Sequence, residues 1–209
     1  MTEMSAVESA FLDFIRLVVD GDVDGVSRRL DATPDLATMA SPIGATRQDA
    51  ATFFFADIAH YLYAGDTALH MAAAAFQRPV AELLVHRGAD RRAKNRRKAE
   101  PLHYAADTNH WDPDAQAATI EYLISVSADP NAADMDGVTP LHRAVRTRSL
   151  PAVRALLNGG ANPMLPNKSG STPLSLAELT TGRGGSGSPH AREQQAAIIE
   201  LLMEQSARP

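Results

Sequence analysis

Apolar residues fall in short clusters at helical spacing along most of the 209-residue chain. FLDFIRLVV (residues 11–19) and VDGVSRRLDA (residues 23–32), separated by DGD, predict two helices joined by a tight turn. From residue 65 onward the pattern becomes regular. A run of small or mixed residues, MAAAA, YAAD, RAVR or LAEL, is followed by an apolar pair: Leu83-Leu84, Leu123-Ile124, Leu156-Leu157 and Leu201-Leu202. After three of these pairs come RGAD, VSADPN and GGANP, which are turn sequences. Short helices in pairs, divided by turns and repeated at a near-constant interval, predict a stacked array.

The repeat has a motif. GDTALH (Gly65–His70), KAEPLH (Lys98–His103), GVTPLH (Gly137–His142) and GSTPLS (Gly170–Ser175) recur in order. Thr67 to Glu100 is 33 residues, Glu100 to Thr139 is 39, and Thr139 to Thr172 is 33. Thr opens a helix as its cap, Pro fits the first turn, Leu points into the stack, and Gly ends the second helix. With these residues at this period, the chain resembles the ankyrin-repeat family from Gly65 to about Ala207. The resemblance implies an all-α ankyrin-repeat solenoid with short hairpin loops. It also implies that hairpin tips and inner helices form a concave binding face. Ser5–Ala37 resembles a degenerate first helix pair. The expected organisation is one domain over 1–209: a cap-like pair at 5–37, an insertion at 38–64, repeats at 65–97, 98–136 and 137–169, and a C-terminal cap repeat at 170–207. Two motifs depart from the pattern, with Glu100 in place of Thr and Ser175 in place of His. The Thr–His hydrogen bond is expected to be absent or altered there.

Three stretches interrupt the spacing. The 38–64 segment is an insertion after the first helix pair. It holds Phe53, Phe54, Phe55, Tyr61 and Tyr63 in a chain that is only 5% aromatic. Thr46–Asp49 resembles a capping box, so a helix is predicted from Gln48 to about Leu62. Its apolar residues fall on two faces, so the segment must be covered, either burying the first repeat or walling the groove. TNHWDPDAQ lengthens the turn of the middle repeat. It offers Asp107, Asn109, His110, Asp112 and Asp114, but lacks the Gly and distal Glu of a calcium loop, so no metal site is assigned. GRGGSGS, before the last helix, has no Gly-Lys-Ser/Thr and no preceding strand, so it reads as a connector and not a phosphate loop.

Charge adds one feature. The net charge is −5, yet Arg91, Arg92, Lys94, Arg96, Arg97 and Lys98 crowd into eight residues with no acid among them. Such a patch on an acidic body points to a local anionic contact, and argues against general nucleic-acid coating. There is no cysteine, which excludes disulfides and thiolate chemistry. The acidic N-terminus lacks the basic leader of a signal peptide and its apolar run is broken by charges, so a cytoplasmic protein with no membrane association is expected.

The residue after each motif His faces the groove by resemblance: Met71, Tyr104 and Arg143, with Arg146 one turn on. Partner-binding candidates are therefore Arg91, Arg92, Lys94, Arg96, Arg97, Lys98, Tyr104, Arg143 and Arg146, joined from the insertion by His60, Tyr61 and Tyr63. Asp57 and His60 have the spacing of an acid–base couple, but no nucleophile accompanies them, and no catalytic residue, cofactor or metal is assigned. The expected role is a protein-interaction module that binds an acidic and apolar segment of a protein partner in the groove. The alternative is a pocket or enzyme for a small anionic ligand, built from the groove and the insertion.

Overall fold

The computed structural model describes residues 5–107, 112–179 and 189–207. Within them the paired helices follow the sequence pattern. Helix α1 (Ala6–Asp20) opens on a reciprocal cap: Glu8 N–H donates to Ser5 Oγ at 3.3 Å and Ser5 N–H to Glu8 Oε2 at 2.7 Å. Its buried face is Phe11, Leu12, Phe14, Ile15, Val18 and Val19. Gly21 ends it in the left-handed conformation, and Asp22 caps α2 (Val23–Ala32). Next come α3 (Ala68–Ala74) and α4 (Arg78–His86), α5 (Pro101–Ala105) and α6 (Pro113–Ser125), α7 (Pro140–Thr147) and α8 (Leu150–Asn158), and α9 (Pro173–Glu178) and α10 (Pro189–Ser206). Helices α1, α3, α5, α7 and α9 pack in chain order as an inner row, and α2, α4, α6, α8 and α10 as an outer row. From α3 onward the inner helices are short, and α3 is rich in Ala. Every residue of α3 is buried, so neighbouring backbones come close.

One hydrogen-bonded unit repeats through the array. The backbone N–H of Thr67, Glu100 and Thr139 donates to Nδ1 of His70, His103 and His142, at 3.1, 3.1 and 3.2 Å. Because a backbone N–H can only donate, Nδ1 is unprotonated and the proton sits on Nε2. Nε2–H then donates to a carbonyl of the following repeat: Ala99, Val138 and Ser171, each at 3.0 Å. Each imidazole thus closes its own helix and ties it to the next unit. The two departures keep the cap. Glu100 retains the N–H to His103 link, while Thr172 and Ser175 exchange backbone-to-hydroxyl bonds of 2.9 and 3.1 Å. What Ser175 lacks is the reach to a further unit.

The insertion differs from expectation. The helix predicted over Gln48–Leu62 is absent. Gln48 and Asp49 N–H both donate to Thr46 Oγ1, but the turn does not propagate. It gives way to a 3-10 turn (Ala50–Phe53), β1 (Phe54–Phe55), a second 3-10 turn (Ala56–Ile58) and β2 (His60–Tyr61). The strands pair antiparallel, Phe54 opposite Tyr61 and Phe55 opposite His60. Three consecutive Phe lose rotamer freedom in a helix and suit extended backbone, and Ala59 turns the chain at φ 46°. Tertiary bonds hold that choice. Ala45 N–H donates to Leu62 O, Leu62 N–H to Phe53 O and Gly65 N–H to Ser41 O, at 2.8, 2.9 and 2.7 Å. Phe53, Ile58 and Leu62 are buried beneath. Asn109, His110 and Trp111 of the lengthened turn lie outside the described residues, as does the GRGGSGS connector.

Two measurements check this framework. Burial holds all three motif histidines below their ordinary pKa, and His103 lies at about 4. Between the unfolded value near 6.5 and that folded value the unfolded chain binds a proton that the folded chain refuses. Stability should therefore fall on acidification from about pH 7.5 to about pH 5, by about 2 kcal/mol from His103 alone. Urea unfolding at the two pH values should show a larger loss in the parent than in His103→Gln. Gly137 has φ +75°, and a Cβ there would stand 2.9 Å from Lys168 N. Gly88 has φ +94° with open space around it. Gly137→Ala should cost about 2 kcal/mol and Gly88→Ala about 1 kcal/mol, read from urea midpoints.

Candidate binding site

The insertion lies against inner helix α5 and the hairpin that precedes it. The contacts form a line of rings. Phe54 meets Tyr61 at 4.7 Å between centroids, Tyr61 meets Tyr63 at 6.1 Å, and Tyr63 meets His60 at 6.3 Å. His60 meets Tyr104 at 4.8 Å and Tyr104 meets His70 at 5.1 Å. The aromatic run of the insertion is thereby coupled to the residue after one motif His and to the His of the repeat before it. Phe54, at the outer end, is exposed.

Behind this line stands a carboxylate that sequence reasoning missed. Asp66 is fully buried. It accepts from Tyr104 Oη–H at 2.7 Å, Asn95 Nδ2–H at 2.9 Å and Tyr63 N–H at 2.7 Å. Three donors satisfy it without a cation. Burial, then the nearby Asp66 charge, pushes the Tyr104 phenol well above its usual range, so it stays a donor. Asn95 also accepts from Arg97 and Ala99 N–H and so shapes the hairpin tip. A signal was present: Asp66 occupies the place before the cap where other repeats carry Ala99, Val138 and Ser171.

The basic candidates divide into two groups. Arg143 is mostly buried, with Nη1 on Asp107 at 2.7 Å and Nη2 on Asp134 at 3.1 Å. Arg146 reaches the same Asp107 at 3.4 Å. Burial opposes the charge on Asp134, but N–H donors of Asp136 and Val138, with Arg143, hold its pKa below the usual carboxylate value. Arg97 pairs with Asp136 at 2.6 Å and Arg92 with Asp129 at 3.2 Å. Glu100, fully buried, faces Arg92 and Lys94, each at 3.6 Å; burial raises its pKa, and those two cations moderate the rise. The basic run therefore finds counter-charges within the chain, largely from the following repeat. No acidic partner stands within ion-pair distance of Arg91, Arg96 or Lys98 among the described residues.

His60, Tyr63, Tyr104, Arg96, Arg97 and Arg143 line one cavity of about 600 Å³. Asn95, Ala99 and Asp107 complete its wall. Tyr61 remains on the outer side in contact with Phe54, and Arg91, Arg92, Lys94, Lys98 and Arg146 are not part of the lining. Asp57 is exposed and His60 Nδ1 lies 2.8 Å from the Tyr61 carbonyl, so no acid–base couple forms. Burial lowers the His60 pKa, leaving the ring neutral near pH 7. Among the described residues no group of His, Asp and Glu is placed to hold a metal, and no helix is long and apolar enough to cross a membrane.

Models of the ankyrin repeat match residues 64–96 and 100–135, and a model of multiple ankyrin repeats matches residues 124–177. The chain belongs to the ankyrin-repeat family. Similar proteins include the ankyrin repeat and LEM domain-containing protein 1 homolog of Caenorhabditis elegans, 40% identical over 90 residues, covering 43% of this chain and 12% of that protein. The ankyrin repeat and SOCS box protein 6 of Homo sapiens is 35% identical over 113 residues, 51% of this chain and 26% of the relative. The B-cell lymphoma 3 protein homolog of Mus musculus is 33% identical over 130 residues, 62% of this chain and 28% of the relative. This ankyrin-repeat chain thus spans little more than a quarter, at most, of these relatives' length.

The two groups of cations should separate on substitution. Arg143→Ala leaves Asp107 and Asp134 without their shared partner and should cost about 3 kcal/mol. Arg96→Ala removes an exposed side chain with no ion pair and should stay within about 0.5 kcal/mol of the parent. Urea titration of both variants at neutral pH checks the split.

Proposed function

We propose that this chain is a protein-interaction module that holds an acidic, apolar-bearing segment of a partner against its inner face. Ankyrin repeats in general serve protein–protein interaction, and the stacked inner helices and hairpins offer an extended surface for it. The observation that carries the finer reading is the pairing of two features at one end of that surface. Exposed Arg91, Arg96 and Lys98 keep uncompensated charge, and the insertion supplies Phe54 and Tyr61 as an aromatic ledge. Cations of this kind steer and orient an acidic segment, while large rigid rings bury its apolar residues at low entropy cost. Arg143 serves differently, as an internal brace between Asp107 and Asp134, while Arg92 and Arg97 pair at the exposed hairpin.

Catalysis is not part of the proposal. His60 is engaged by a backbone carbonyl, and the Thr67–His70 and Thr139–His142 hydroxyl–imidazole pairs are buried within the repeat frame.

Defined peptides test the reading. An immobilised peptide alternating Glu or Asp with Leu or Phe should bind the chain, and binding should weaken as salt rises. Its Gln/Asn counterpart should bind about tenfold more weakly, and Arg91→Glu/Arg96→Glu should lose the acidic peptide to a similar degree. Equal binding of acidic and amide peptides, or a variant that binds as the parent does, would overturn it.

A further inference from the structure

The cavity between the insertion and α5 asks for an occupant, and a donor–acceptor balance says of what kind. Its volume, about 600 Å³, falls in the range of small-molecule sites, roughly 300–1,000 Å³. The lining carries three guanidinium groups, on Arg96, Arg97 and Arg143, against one carboxylate, on Asp107. That carboxylate is already used at both oxygens, by Arg143 on one and Arg146 on the other. Asp66, behind the wall, is saturated by Tyr104, Asn95 and the Tyr63 backbone. The acids at this site have no demand left.

The donors do. Arg96 has no acidic partner among the described residues. Arg97 is tied only through one nitrogen, to Asp136 on the exposed hairpin. Arg143 keeps a buried Nε–H without an acceptor. The Tyr63 hydroxyl has no hydrogen-bond partner among the described residues. A cavity whose acceptors are filled and whose donors are open favours an anion over a cation or an apolar group. The neutral ring of His60 and the phenol of Tyr104 add walls that carry no opposing charge.

We propose that this cavity is a binding site for a small oxyanion, a phosphate or carboxylate group, held by Arg96 and Arg97 with the Tyr63 hydroxyl. The group is either a free molecule or the acidic side chain of a bound peptide. The two sources share this chemistry, and the site does not depend on a protein partner occupying the rest of the inner face.

Calorimetric titration with inorganic phosphate and with citrate, at ionic strength held constant with sodium chloride, tests it. The parent should show saturable binding of at least one probe. Arg96→Ala/Arg97→Ala should weaken it about tenfold, and Tyr63→Phe, which removes one hydroxyl, about fivefold. Arg28→Gln/Lys168→Gln removes the same charge from exposed positions outside the cavity and should bind as the parent does. Circular dichroism of each variant establishes that the fold is retained. Displacement of the probe by an acidic peptide would assign the site to a partner's side chain; a peptide that binds without displacing it would assign the site to a free ligand. Absence of saturable binding of both probes overturns the proposal, and so does an equal loss in the two double variants. Acidic-peptide binding that persists while both probes fail would remove the oxyanion site and leave the interaction module standing.

Discussion

The neutral imidazole of the repeat motif is the constraint on which the array depends. Nδ1 must accept from its own helix cap and Nε2 must donate forward, so one ring fixes both the start of a helix and the position of the next unit. His70, His103 and His142 do this in series. A short helix such as α5, of only five residues, could not persist by itself. It persists because its first turn is closed from within and its flank is closed by neighbours on either side.

That regularity makes the irregular residues meaningful. Tyr104 stands at the groove-facing place of a motif whose frame is set by His103. Its hydroxyl therefore arrives at Asp66, and its ring at His60, in a fixed geometry. The insertion does not float over the repeats. It is bonded to them at the backbone and locked by an aromatic line that ends on His70. Phe53, Ile58 and Leu62 face inward as core, while His60 and Tyr63 border an open space.

The repeat architecture was legible because its determinants are local and recur: Thr, Pro, Leu and His within four residues, and paired apolar residues about half a period later. The candidate site was legible in part. Placing His60, Tyr63, Tyr104, Arg96, Arg97 and Arg143 together needed only the resemblance and the guess that the detour folds inward. Two things were hidden. Aromatic spacing at 53–63 fitted a helix, and only the long-range bonds of Ala45, Leu62 and Gly65 reveal extended backbone. The basic run seemed uncompensated because two of its acids, Asp129 and Asp136, lie more than thirty positions away and reach it only through stacking. Asp66 was overlooked for the same reason: its side-chain donors come from Asn95, at the far end of its own unit, and from Tyr104 of the next.

The buried Asp66 has a consequence for how interchangeable the units are. The carbonyl acceptors on Ala99, Val138 and Ser171 belong to the backbone, so almost any unit could follow any other through them. Asp66 is more selective, since beside the amide of Asn95 in its own unit it takes a phenol from the unit that follows. A generic module in place of 98–136 would leave that carboxylate with Asn95 and the Tyr63 N–H but without its phenol. The 65–97 and 98–136 segments are in this sense a matched couple inside an otherwise modular protein.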